Sequence, residues 1–258
     1  MPIDQAQDTV RVLTTELLAV DYVSLMRMLE TRALQAGACA VNFSDTSVVA
    51  LRHRNPAFAR LTSCFDVFVP KSMTLVWGMN RLGAAMESPI DPSIFMRRLL
   101  YQSSPDFRHY FIGETEESSN RLRERILRRN PDIDVVGFVH GPCSESGYLQ
   151  PPELHDFVLE DVRDKKPHFV WVGVDVAAQY ALVANLKRKA RSGVLLALGS
   201  AFDVNSGVQP EAPPFMQRHR LTWLYRLFTE PMHFLSTDVR YNALFLFDLL
   251  RSSEKADR

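Results

Sequence analysis

The sequence predicts an α/β fold, a Rossmann-like, mostly parallel sheet with helices on both faces, followed by a helical C-terminal appendage. Three observations carry this. Apolar strand-like runs alternate with helix-period segments over most of the chain, the order that βαβ units impose. Strand-like runs end in glycine, as at Gly113 and Gly199, where a tight turn hands the chain to a helix. After Pro210 the composition shifts to a stretch rich in Trp, Tyr, Phe, Leu and Arg without strand signals. The α/β domain is therefore assigned to residues 1–210 and the appendage to 211–258.

The apolar stretch 10–20 opens the chain. Asp21 caps a helix on which Tyr22, Leu25, Met26, Leu29 and Ala33 share a face, and Gly37 ends it. A strand over 38–43 follows. Ser44 and Asp45 stand where it meets a helix beginning near Thr46, a junction whose backbone N–H groups suit anionic or sugar ligands. The next strand, 66–69, leads through Pro70, Lys71 and Ser72 into the apolar helix MTLVWGMNRLG. Asp91 and Pro92 form a cap and first-turn pair for IFMRRLL, HYFIG reads as a strand, and EESSNRLRERILRRN is an amphipathic helix stopped by Pro131. IDVVGFVHG, ELHDFVLEDVRDKK, HFVWVGV, AQYALVANLKRKARSG and VLLALG continue as strand, helix, strand, helix, strand. Basic residues at 187–191 complement a helix C-terminus.

Lys plus Arg and Asp plus Glu both number 30, so the formal net charge is zero and no global field recruits nucleic acid. Cys39, Cys64 and Cys143 are odd in number and far apart, which suggests neither a disulfide framework nor a zinc site. His140 precedes Gly141 and Pro142 without a second ligand at metal spacing, so it reads as a turn residue. No metal and no cofactor is expected. The N-terminus is acidic where a signal peptide is basic, and no run approaches the roughly 18 apolar residues that span a bilayer. A cytoplasmic protein, at most peripheral on the membrane, is the expectation.

Residues 199–231, GSAFDVNSGVQPEAPPFMQRHRLTWLYRLFTEP, resemble the signature of the WecG/TagA/CpsF glycosyltransferases, glycosyltransferase family 26: G-x-x-F-D, a Gly, R-A-P, then G-L-E-W-L-Y-R-L and E-P. Upstream, VGVDVAAQ (172–179) resembles the family's V-G-x-G-x-P-x-Q-E turn, YFIG its G-bearing strand end, and VFVPKSMTLVWGMNRLG its P-D-G segment and following helix. The resemblance implies metal-independent transfer of an N-acetylhexosamine-type sugar from a UDP donor to a polyprenyl-pyrophosphate-linked acceptor at the inner membrane face, in cell-surface polysaccharide assembly. It implies a donor site built from Asn42, Ser44, Ser72, Gly113, Gln179, Gly199, Ser200, Phe202 and Asp203. Arg226 and Arg240 of the appendage would meet the diphosphate, and whether the chain self-associates is left open.

Several chemistry-bearing positions depart from the pattern. Lys71 and Ser72 stand where the family has Asp and Gly, Asp175 and Ala177 where it has Gly and Pro, and Tyr180 where it has Glu. Glu211 replaces the arginine of R-A-P and Thr222 the glutamate of L-E-W, a paired loss of opposite charges. Lysine at a base position is protonated at neutral pH unless strongly desolvated. The base therefore falls to Asp175 or Asp45, with Lys71 as a phosphate-holding cation, or else the chain binds nucleotide sugar or a partner without turnover. Each residue also has a plainer reading: Asp203 as a turn or cap, Gln179 as a polar first-turn residue, Gly113 and Gly199 as sites of close packing, Lys71 as a solvated lysine. Trp223, Tyr225, Phe228, Phe234, Phe245 and Phe247 read either as core or, with Arg218, Arg220, Arg226 and Arg240, as a membrane-interface surface.

Overall fold

The computed structural model describes residues 9–211, 213, 215–216, 225 and 239–256. The opening stretch folds as an antiparallel hairpin, β1 (Thr9–Val12) and β2 (Thr15–Leu18), which lies against β4. Then come α1 (Tyr22–Ala33), β3 (Cys39–Ser44), α2 (Thr46–Arg54), α3 (Pro56–Leu61), β4 (Val67–Pro70), α4 (Met73–Arg81) and α5 (Pro92–Gln102). The second half runs β5 (Arg108–Gly113), α6 (Glu116–Arg129), β6 (Asp134–His140), α7 (Pro152–Lys165), β7 (Phe169–Gly173), α8 (Val176–Lys189), β8 (Val194–Ala197), α9 (Ala201–Ser206) and α10 (Arg240–Ala256). Strands β3 to β8 form one six-stranded parallel sheet in the order β4-β3-β8-β7-β5-β6.

The helix starts follow their caps. Asp21, Asp91 and Thr115 each accept a hydrogen bond from a first-turn backbone N–H, at 2.7 Å from Ser24, 2.8 Å from Ser93 and 3.2 Å from Ser118. Strand alternation then divides the core into two layers. Tyr110, Ile112, Val170, Val172, Leu195 and Ala197 face one layer with α2, α4, α7, α8 and α10, while Phe111, Phe169, Trp171, Val194 and Leu196 face the other with α1, α5, α6 and α9. Helices following β3 and β7 thus lie on one face and those following β5 and β8 on the other. That divergence opens a crevice at the carboxyl edge of the sheet.

Two expectations are corrected here. The segment after β8 forms the short helix α9, so Asp203 is a helical residue rather than a turn residue. Phe245 is fully buried, and α10 docks on α2 and α4 instead of presenting that ring outward. The fit depends on Gly78 of α4, where an added Cβ would come 2.8 Å from Phe245 Cζ. Thr46 Oγ1 also donates to Asn242 Oδ1 at 2.7 Å, and Arg54 makes a two-point ion pair with Asp248 at 2.6 and 2.7 Å.

His109 of β5 is buried and stacked among Phe169, Trp171 and Phe111. Its Nδ1 accepts from Trp171 Nε1 at 3.1 Å, so Nε2 carries the proton and lies 2.8 Å from Ser103 Oγ. Burial, reinforced by nearby His168, pushes its pKa down to about 3. An unfolded histidine titrates near 6.5. Between these values the unfolded chain binds the extra proton, so stability present above pH 6.5 is lost as pH falls toward 3, by up to about 1.4 kcal/mol per pH unit. Urea midpoints measured from pH 7 to pH 4 should fall steeply in the native protein and less steeply in His109→Phe. Parallel pH dependences would show that His109 does not govern acid unfolding.

Candidate active site

The strand ends bring together two polar groups. At the β3–β4 side, Asn42 and Ser44 are buried side by side, Ser44 Oγ donating to Asn42 Oδ1 at 2.6 Å. Asn42 also shares a hydrogen bond with the hydroxyl of buried Tyr180, from α8. Above them Asp45 caps α2, accepting from Ser47 N at 3.0 Å, from Val48 N at 3.3 Å and from Ser47 Oγ. Lys71 Nζ lies 3.1 Å from Asp45 Oδ2, the two side chains being 32% and 29% exposed. Burial works to raise the Asp45 carboxyl, but the Lys71 ammonium and the Ser47 and Val48 hydrogen bonds override it and hold its pKa near about 2. Asp45 is therefore a fixed anion with little basicity, which weighs against it as a proton acceptor. Ser72 is spent as the cap of α4, accepting from Leu75 N at 3.4 Å.

The second group stands at the ends of β5 and β7. Glu114 directly follows Gly113, is exposed, and receives a hydrogen bond from the Asp175 backbone N–H. Partial burial, then the Asp175 and Asp203 carboxylates, raise its pKa above the ordinary glutamate value. Asp203 accepts from Ser118 Oγ at 2.5 Å, which ties α9 to the start of α6. A carboxylate made more basic by like charges is suited to take a proton. Glu114 was missed in reading the sequence. Its one signal was position, immediately after a strand-ending glycine.

The other expected residues divide between buried and exposed positions. Gln179 is buried, and its Oε1 accepts from Gly199 N at 2.9 Å, locking the turn after β8 to α8. Phe202 is fully buried beneath the crevice, close against Gly113 and Gly173; a Cβ on Gly173 would sit 2.3 Å from its ring. Ser200 is exposed at the start of α9. Arg240 is exposed in the first turn of α10, which the Thr46–Asn242 hydrogen bond sets beside the start of α2. Glu211, where the resemblance has arginine, pairs with Arg97 of α5, with Nη1 to Oε2 at 3.0 Å. Arg226, Thr222, Trp223, Phe228 and Phe234 lie outside the described residues.

A cavity of about 490 Å³ opens between α2, α3 and the start of α8. Ser47, Val48 and Leu51 of α2, Phe58 and Leu61 of α3, and Asp175, Val176 and Tyr180 at the start of α8 line it. Among the described residues no helix is long and apolar enough to cross a membrane.

A parallel α/β sheet whose diverging crossovers gather four carboxylates and a lysine at its carboxyl edge is of the doubly wound class, in which ligands generally bind at the strand ends. The chain belongs to the Glycosyl transferase WecG/TagA/CpsF family, whose model matches residues 10–258. It is similar to the N-acetylglucosaminyldiphosphoundecaprenol N-acetyl-beta-D-mannosaminyltransferase of Bacillus spizizenii (strain ATCC 23059 / NRRL B-14472 / W23), 26% identical over 179 residues, 69% of this chain and 66% of that protein. The protein of the same name from Bacillus subtilis (strain 168) is 27% identical over 124 residues, 48% of this chain and 45% of that one. The matched stretches thus span just under two thirds and under half of these relatives.

Proposed function

We propose that the chain transfers an N-acetylhexosamine-type sugar from a UDP donor to a polyprenyl-diphosphate-linked acceptor, in cell-surface polysaccharide assembly. The observation that carries this reading is the convergence of Glu114, Asp175 and Asp203 in the strand-end crevice of a family member. Glu114 takes the proton of the acceptor hydroxyl as its oxygen bonds to the anomeric carbon. The bond from that carbon to the UDP oxygen breaks, and the leaving diphosphate is met by Lys71 and by backbone N–H groups at the starts of α6 and α8. Because the acceptor lipid stays in the bilayer, the protein works at the cytoplasmic membrane face.

The test is turnover of UDP-N-acetylhexosamines with a lipid-linked N-acetylglucosamine acceptor, alongside thermal unfolding with UDP. A donor that binds only the folded chain raises its melting temperature by mass action. A second reading is supported by the Asp45–Lys71 ion pair, which occupies the place of the family's base: a non-catalytic nucleotide-sugar or partner-binding protein. UDP stabilisation without turnover of any donor selects that reading. An unchanged melting temperature at saturating UDP and UDP-sugars removes the transferase and the nucleotide-sugar-binding readings and leaves partner binding.

A further inference from the structure

We propose that His155 is a pH-operated latch: as a neutral ring it fastens the loop 141–151 to α7, and on gaining a proton it releases that loop beside the crevice. The loop joins β6 to α7. Its first residue is tied to the strand ends, the Gly141 N–H donating to the Gly113 carbonyl at 3.2 Å, one residue before Glu114. The chain then folds back on itself, with Ser144 N–H donating to Tyr148 O at 2.9 Å and Gln150 N–H to Pro142 O at 2.9 Å. Its tip presses on α8, where a Cβ on Gly147 would come 2.3 Å from the Leu182 nitrogen and the Asn185 amide donates to Gly147 O at 3.2 Å. The latch is independent of what the crevice turns over.

His155 holds the returning arm of this loop. The residue is 3% exposed, its Nδ1 accepts from the Leu149 N–H at 3.3 Å, and the Tyr148 ring packs on it with centroids 4.6 Å apart. A ring nitrogen that accepts an N–H carries no proton, so this contact exists only in the neutral imidazole, with the proton on Nε2. Protonation sets two donors against each other and places a charge beside fully buried Leu149. The titratable groups that face the ring are Tyr148 from the loop and Asp156 on α7, while α8 meets the loop through uncharged Asn185. Burial lowers the pKa of His155, and Asp156 works the other way without reversing it. The closed loop is therefore favoured at neutral pH, and that preference is lost as pH falls below the ordinary histidine value of about 6.5.

Hydrogen exchange of the full chain from pH 7.5 to 5, read as protection factors so that the intrinsic pH dependence of exchange cancels, tests the latch. Protection of the Leu149 amide should fall by up to about tenfold per pH unit below about 6.5, while the β7 amides of Val170 and Trp171 lose far less. The His155 ring resonance should titrate over the same pH range as that loss. In His155→Asn, where Oδ1 can accept from the Leu149 N–H without titrating, protection should stay level within about threefold. Protection at Leu149 that ignores pH in the native chain, or that falls out of step with the His155 titration, overturns the proposal. So does an equal fall in His155→Asn. A parallel fall at Leu149 and Trp171 in the native chain overturns it as well, because the loop would then open only with the whole fold.

Discussion

Glu114→Gln should lower turnover by roughly 10² to 10⁴-fold, the usual contribution of a positioned general base, while leaving UDP affinity within about twofold. The reason is a contrast between carboxylates. Asp45 is held near pKa about 2 by Lys71 and its capping donors, so it has little tendency to accept a proton. Glu114 is exposed to the crevice and raised by partial burial and by the Asp175 and Asp203 carboxylates. Its active form is the carboxylate, so kcat/KM should rise with pH through a pKa raised from the ordinary glutamate value. Glu114→Gln should abolish that acidic limb together with the rate. If Glu114→Gln keeps turnover within about threefold and Asp175→Asn does not, the proton acceptor is Asp175.

Phe245→Ala should destabilise the whole fold by about 3 to 5 kcal/mol, the range for removing a large buried ring. The ring is fully buried and packs where Gly78 leaves room for it on α4, and its helix is further tied to α2 through Thr46–Asn242 and Arg54–Asp248. A cavity there is not easily closed, because two helices and an ion pair hold its walls apart. Urea unfolding should remain a single transition with a lower midpoint. A separate early transition with an unchanged main midpoint would instead mark α10 as an independently melting appendage.

Much of the fold was legible in the sequence because its signals are local. Asp21 and Asp91 cap the helices they precede, and runs such as FVWVGV are the buried parallel strands they look like. Short pieces escaped, among them α3. The hairpin of β1 and β2 has a turn that places Leu13 at φ 55°, and α9 is six residues long, too short to show a periodic pattern. Glu114 escaped for a different reason: nothing in GET marks a base until β5 and β7 are neighbours.

By itself the sequence determined the strand and helix order, the caps, and the family resemblance, since these depend on residues close together along the chain. The resemblance also sets Lys71 where the family's P-D-G segment has aspartate. Only the tertiary structure decided that Lys71 is paired with Asp45, that Gln179 is bound to the turn at Gly199, that Glu114 lies among like charges, and that Phe245 is core. Each of these turns on distances between residues far apart in the chain. Basicity, ion pairing and burial are properties of such distances, and the strand order β4-β3-β8-β7-β5-β6 sets them.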